Sequence, residues 1–142
     1  MGESDGDTTT YRLTGSRQGR HHMRVDTGEA AFAVDMDVNP VQHLLGGLVG
    51  CLNSTATTVA REMDVDIDGL DAVVEGDIDY SRYKGEETDT RAGLQEVRVT
   101  LTVDADADEA TLTALLEEIE ARCPVSETLA NGTELGVGVE ST

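Results

Sequence analysis

The chain has 142 residues, enough for one domain with a real core and too few for two. It carries 29 Asp and Glu against 10 Lys and Arg, a formal net charge of −19. A surface of that sign repels nucleic acid and anionic membrane, both of which need a positive footprint, so neither is expected as a partner. The expected organisation is a single domain over residues 1–142, with residues 1–8 polar and flexible. Lys84 is the only lysine. So acidic a chain fits a cytosol of very high salt, as in halophilic archaea, where screening removes self-repulsion and carboxylates keep the surface hydrated. No apolar run approaches a membrane span, and the Gly/Asp/Thr-rich N-terminus does not read as a signal peptide. The expected location is the cytoplasm, where two cysteines are not a structural staple.

In chain order, Thr9–Thr14 reads as a first strand and Gly15–Gly19 as a turn. Arg20–Asp26 and Glu29–Asp35 read as a hairpin around Thr27-Gly28. Phe32, Val34 and Met36 share one side of its second arm.

A long helix is expected from Pro40 to about Met63. Asn39 can cap it, and Pro40 suits the first helical position, where a missing N–H costs nothing. Apolar residues recur at 41, 44, 45, 48, 52, 56 and 59, close to the helical period. Cys51 falls on or beside that stripe, and Gly46, Gly47 and Gly50 are expected on the inward face with it. A break near Thr57-Thr58 is compatible with the pattern. Arg61 suits the negative end of the helix dipole.

Leu70–Tyr80 follows as a strand, with Val74, Gly76, Ile78 and Tyr80 on one face. Ser81–Gly93 is a charged loop expected to be mobile. Leu94–Asp104 is the clearest strand, with Val97, Val99, Leu101 and Val103 on one face and Arg98, Thr100 and Thr102 on the other. An acidic cap and first turn at Asp106-Ala107-Asp108-Glu109 open a helix to about Arg122, with Leu112, Leu115, Leu116 and Ile119 inward. Cys123-Pro124 reads as a second helix start, running to about Ala130. Thr133–Glu140 reads as a last strand with Leu135, Val137 and Val139 inward. The order gives an α+β fold of antiparallel sheet with helices on one face.

The two cysteines carry the chemical lead. A dithiol is the simplest peroxide-reducing device: one thiolate attacks the O–O bond and becomes a sulfenic acid, and the second thiol condenses with it to a disulfide. The bland alternative is two small buried hydrophobes, common for free cysteine. Cys123, just before Pro124, sits where free N–H groups and a positive helix end favour a thiolate. Cys51 lies deep in its helix, where burial opposes ionisation, so it needs a cation; Arg17, Arg20, Arg82 and Arg91 are the candidates. A metal site from His21, His22, His43 and a cysteine is disfavoured, since adjacent histidines on a strand point to opposite faces. A Ser/His/Asp hydrolase lacks its G-x-S-x-G turn.

These residues resemble the family of organic hydroperoxide resistance proteins and osmotically inducible protein C (OsmC/Ohr). The match lies in Asn39-Pro40 with Cys51 twelve positions beyond Asn39, in Cys123-Pro124-Val125-Ser126, and in the glycine–arginine turn Gly15-Ser16-Arg17-Gln18-Gly19-Arg20. It spans nearly the whole chain, and the segment from Cys123 to Leu129 is its most specific part. The resemblance implies an OsmC-like fold: antiparallel sheets packed on two long central helices in an intertwined homodimer, with the site at the subunit interface. It implies Cys51 as the peroxidatic thiol, Cys123 as the resolving thiol, and Arg17 as the arginine that stabilises the thiolate, with Arg20 the near alternative. The implied substrate is an organic hydroperoxide and the implied reductant an external dithiol, small or lipoyl-bound. No metal, haem or flavin is implied. Where the hydroperoxide-resistance branch has glutamate after Asn-Pro, this chain has Val41, which places it nearer the broader OsmC-like branch. A non-catalytic reading stands beside the peroxidase one: an OsmC-like dimer that holds a small apolar ligand at its interface.

Overall fold

The structure, a computed structural model, describes residues 8–142. The expectation of a flexible start therefore falls almost wholly outside the described residues. Two compact units divide the chain, residues up to 44 and residues 45–142, with the boundary inside the long helix.

The first unit is a three-stranded antiparallel sheet in the order β1 (Thr14–Gly19), β2 (His22–Asp26), β3 (Ala31–Val34), followed by the start of α1. The β2–β3 hairpin forms around Thr27-Gly28 as expected, with Val25 opposite Phe32 and Asp26 opposite Ala31. Gly28 takes φ 97°, which a side chain would resist. The first strand is not Thr9–Thr14. It starts at Thr14 and runs through the segment expected to turn, because Gly15, Ser16 and Arg17 pair with Val25, Arg24 and Met23. A bulge between Arg17 and Gly19 ends the ladder, and the turn itself is Arg20-His21. A Cβ at Gly15 would lie 3.1 Å from the Met23 sulfur, so the glycine serves close strand packing.

α1 spans Pro40–Glu62 without a break at Thr57-Thr58. Its start is a reciprocal capping box: Gln42 N–H donates to Asn39 Oδ1 at 2.9 Å, and Asn39 N–H donates to Gln42 Oε1 at 2.9 Å. Asp64 ends it in the left-handed region at φ 58°, and Val65 N–H returns to the Ala60 carbonyl at 2.8 Å.

In the second unit, β4 (Ile67–Ile78) and β5 (Leu94–Ala105) form one long antiparallel hairpin. Val74 faces Val99 and Gly76 faces Val97 across it. Its outer face holds Arg98 against Asp77 at 2.8 Å and Glu96 at 2.9 Å. Gly76 permits close approach to α1: a Cβ there would lie 2.9 Å from Leu94 Cδ2 and 3.4 Å from Leu45 Cδ1. Tyr80 lies beyond the strand, exposed and edge-on to Tyr83.

α2 (Glu109–Arg122) is capped by Asp108, whose carboxylate accepts from Thr111 N–H at 2.8 Å. α3 (Pro124–Asn131) follows after the single residue Cys123. The core lies between these elements. Leu48, Leu52, Ala56, Val59 and Ala60 of α1 close on Val65, Leu115, Ile119 and Cys123.

Three expectations fail, each concerning a face or strand that finds no packing partner among the described residues. Gly46, Gly47 and Gly50 are exposed, with nothing within 4 Å of a Cβ at any of them. Leu116 of α2 is also exposed rather than inward. Thr133–Glu140 forms no strand; Leu135, Val137 and Val139 are 83%, 88% and 96% exposed. Alternation gives that segment strand propensity, but a strand exists only against an edge. The architecture is thus α+β, with two antiparallel sheets and three helices among the described residues. No described helix is long and apolar enough to cross a membrane.

Candidate functional site

Cys51 sits half-buried on α1, one residue before the core residue Leu52, and packs against the core cluster. Cys123 is fully buried. It closes α2 by donating its N–H to the Ile119 carbonyl at 3.0 Å, and it opens α3 as its N-cap with φ −76° and ψ 115°. Pro124 at the first helical position has no N–H, so the leading free donors of α3 belong to Val125 and Ser126. Val125 N–H donates to the Cys51 sulfur and Ser126 N–H to the Cys123 sulfur. Cys123 and Thr55 also help to lower the Cys51 thiol, and Thr55 acts on Cys123 in the same sense. Two sulfurs from distant parts of the chain therefore meet, both as free thiols, under the first turn of α3.

Their acidities split, and in the sense opposite to the sequence expectation. Burial pushes the Cys51 thiol up, but hydrogen bonds from Val125, Cys123 and Thr55 outweigh it and leave the thiol below its ordinary range. Burial pushes Cys123 up as well. The Ser126 N–H opposes that, but the neighbouring Cys51 disfavours a second negative charge, and Cys123 stays above its ordinary range. The helix N-terminus expected to favour a Cys123 thiolate thus lends its leading donor to Cys51. Sequence reasoning could not see an N–H reaching across to another helix.

An ion pair holds the two sulfur-bearing segments together. Arg122, one residue before Cys123, grips Glu62 at the end of α1 with two parallel bonds of 2.8 and 3.0 Å. Two of the candidate arginines are engaged within their own loop. Arg82 donates to the Thr90 and Thr88 carbonyls at 3.0 and 2.8 Å, and Arg91 donates to the Leu94 carbonyl. Arg17 lies exposed on β1, its Nε 3.4 Å from the Gly19 carbonyl, and Arg20 lies exposed in the following turn. His21 and His22 are exposed, while His43 is half-buried and stacks on Phe32 at 5.8 Å. Among the described residues no three His, Cys, Asp or Glu side chains converge as a ligand set.

Thr55 and Val125 are the site residues that sequence reasoning missed. The position of Thr55, one helical turn after Cys51, was the available signal, since residues four apart share a helix face.

Comparison with known proteins agrees with this arrangement of elements. The family model described as OsmC-like protein matches residues 33–137. A search of curated proteins finds no match. Among solved structures, the OsmC like protein from Mycoplasma pneumoniae is similar with a TM-score of 0.76 at 22% identity, over 87% of this chain and 89% of that one. The organic hydroperoxide resistance protein OhrB of Bacillus subtilis is similar with a TM-score of 0.57 at 26% identity, over 87% of this chain and 93% of that one. An organic hydroperoxide resistance protein OsmC from Legionella pneumophila gives 0.58 at 15% identity, over 87% and 91%. With the family model covering most of its length, and with both cysteines inside the matched span, this chain belongs to the OsmC-like protein family.

Proposed function

We propose that this chain is a thiol-dependent peroxidase acting on organic hydroperoxides. The observation that carries the reading is the meeting of two free cysteines from distant segments, Cys51 on α1 and Cys123 at the start of α3, with the Cys51 thiol lowered and the Cys123 thiol raised from the ordinary range. The names of the Bacillus subtilis and Legionella pneumophila neighbours support the substrate class.

The chemistry follows from that polarity of the pair. The Cys51 thiolate attacks the outer peroxide oxygen; an S–O bond forms, the O–O bond breaks, and the electron pair leaves on an alkoxide. The alkoxide takes the proton of the Cys123 thiol and departs as alcohol. The new Cys123 thiolate attacks the Cys51 sulfenic sulfur; an S–S bond forms, hydroxide leaves and is protonated to water. An external dithiol, such as a lipoyl group, then reduces the disulfide and becomes a disulfide itself. Arg17 is assigned as the cation that aids the thiolate, on its match to the family's glycine–arginine turn. The active form is an intertwined homodimer with a long helix from each subunit at its centre. The open glycine face of α1 and the uncovered residues Leu135, Val137 and Val139 support that assembly. The acidic surface supports a high-salt cytoplasm, and no metal, haem or flavin takes part.

The test is consumption of cumene hydroperoxide with dithiothreitol or dihydrolipoamide. The parent turns over and forms a Cys51–Cys123 disulfide, a mass loss of about 2 Da after a brief peroxide pulse. Cys51→Ser is inactive. A Cys51→Ser protein as active as the parent, or thiols that stay reduced under peroxide, would overturn the reading in favour of an apolar-ligand-binding dimer.

A further inference from the structure

Cys123 is the single residue between α2 and α3, and its backbone is held on both sides. Its N–H donates to the Ile119 carbonyl at 3.0 Å, and its carbonyl accepts the Glu127 N–H at 2.9 Å. The place of the Cys123 sulfur therefore follows from the place of the α2 end. Two contacts fix that end against α1. One is apolar: Leu115 and Ile119 belong to the same buried cluster as Ala56 and Val59 of α1. Apolar burial is non-directional, so it sets the distance between helices better than their rotation. The other is the fork of Arg122 on Glu62, with Nη1 to Oε1 at 2.8 Å and Nη2 to Oε2 at 3.0 Å. Two parallel bonds between planar groups fix direction as well as distance. The anchor on α1 is ordered, because Glu62 is the last residue of a helix that closes tightly behind it. Met63 N–H donates to the Val59 carbonyl at 3.1 Å, and Val65 N–H donates to the Ala60 carbonyl at 2.8 Å.

We infer that the Arg122–Glu62 ion pair is a positioning pair: it locks the end of α2 onto α1 and so holds the Cys123 sulfur within bonding reach of the Cys51 sulfur. Both residues act through Cys123 and touch no reacting atom. Cys51 packs against the buried cluster that contains Cys123, so a small rotation of the α2 end opens or closes the gap between them. The tolerance is narrow, since a disulfide needs its two Cα atoms roughly 4.4–6.8 Å apart. Among the described residues this is the one ion pair that joins α1 to another helix. Arg122 also lies 3.6 Å from Glu118, but that carboxylate is on α2 itself and ties it to nothing else. With side chains 40% and 54% exposed, the pair is a minor contributor to the stability of the whole fold. Its leverage comes from standing one residue before a fully buried cysteine. The inference rests on the peroxidase reading only for its use in turnover. There the Cys123 thiol condenses with the Cys51 sulfenic acid, an S–S bond forms, the S–O bond breaks and water leaves.

The experiment brings the full chain and its variants to equilibrium with mixtures of reduced and oxidised glutathione in about 1 M KCl, and mass spectrometry reads the disulfide fraction. In that exchange the two protein thiols give two electrons and two protons to glutathione disulfide, which becomes two glutathiones. Bonds of 2.8 and 3.0 Å lie within the screening length of such a solution, about 3 Å, so the pair stays formed. Glu62→Ala is expected to lower the dithiol-to-disulfide equilibrium constant about threefold, and Arg122→Ala by a similar factor. Glu118→Ala removes the same charge beside the same arginine but leaves the bridge, and is expected within about 1.5-fold of the parent. A contact shifts an equilibrium only by what it contributes differently to the two states. A pair that merely stabilised the fold would support dithiol and disulfide forms alike, and the constant would not move even if the melting temperature fell. If Glu62→Ala fails to fold by circular dichroism, the isosteric Glu62→Gln is read in its place with the same expectation. A constant unchanged in the folded Glu62 variant, an equal fall in Glu118→Ala, or a parent that forms no Cys51–Cys123 disulfide with oxidised glutathione overturns the inference. A parent that forms the disulfide yet consumes no hydroperoxide sinks the peroxidase reading instead, and the Glu62 comparison still decides the role of the pair.

Discussion

Cys51 owes its acidity to neutral donors: a backbone N–H, a thiol and a hydroxyl. Cys123 is pushed up by burial and by the neighbouring Cys51, and the Ser126 N–H and Thr55 only partly oppose them. The pH dependence follows in sign. Cys51 is alkylated ahead of Cys123, and its rate levels off at a lower pH than that of a free cysteine, about 8.5. Peptide mapping after partial alkylation at pH 7 checks the order; modification of Cys123 first contradicts it. Cys123→Ser removes the second sulfur. It is expected to leave one peroxide turnover and then allow Cys51 to run on to sulfinic acid, seen as an added mass of about 32 Da. The residues were visible in the sequence as a pair, but their polarity was not. A thiol deep in a helix reads as inert until another helix is known to point an amide at it.

At the scale of elements, α2 is the link between core and site. Its Leu115 and Ile119 are each 1% exposed, and the Ile119 carbonyl accepts the Cys123 N–H. Ile119→Ala is expected to cost about 2–5 kcal/mol of stability, the range for truncating a buried aliphatic residue, and to weaken the sulfur contact. Urea unfolding measures the first, and the alkylation profile of Cys51 reports the second. Elements defined by local chemistry were legible from sequence: α1 through Asn39-Pro40, α2 through its acidic cap, the α2–α3 junction through Cys123-Pro124, and the β4–β5 hairpin through its alternation. Elements defined by a partner were not. β1 was displaced because its glycines read as a turn, yet they pair with β2. The last segment alternates like a strand and finds no edge among the described residues.

For the whole molecule, charge dominates. A net charge of −19 is only locally offset, by pairs such as Arg98 with Asp77 and Arg122 with Glu62. Raising KCl from about 0.1 M to 1 M shortens the screening length from about 10 Å to about 3 Å. Mutual repulsion of the carboxylates then fades, and the melting temperature is expected to rise by several degrees or more. A melting temperature indifferent to KCl removes the case for a halophilic setting. The same measurements, paired with sedimentation, test the homodimer.

The leading amides of α3 have a further consequence. Both are bound to sulfur in the dithiol form, and a bond between the sulfurs withdraws the anionic acceptor that Val125 holds. The oxidised form would give up contacts that the reduced form keeps. On the proposed peroxidase reading, a Cys51–Cys123 couple weighted in that way would lie toward the oxidising end of the potential scale, and an ordinary dithiol would suffice to reopen its disulfide.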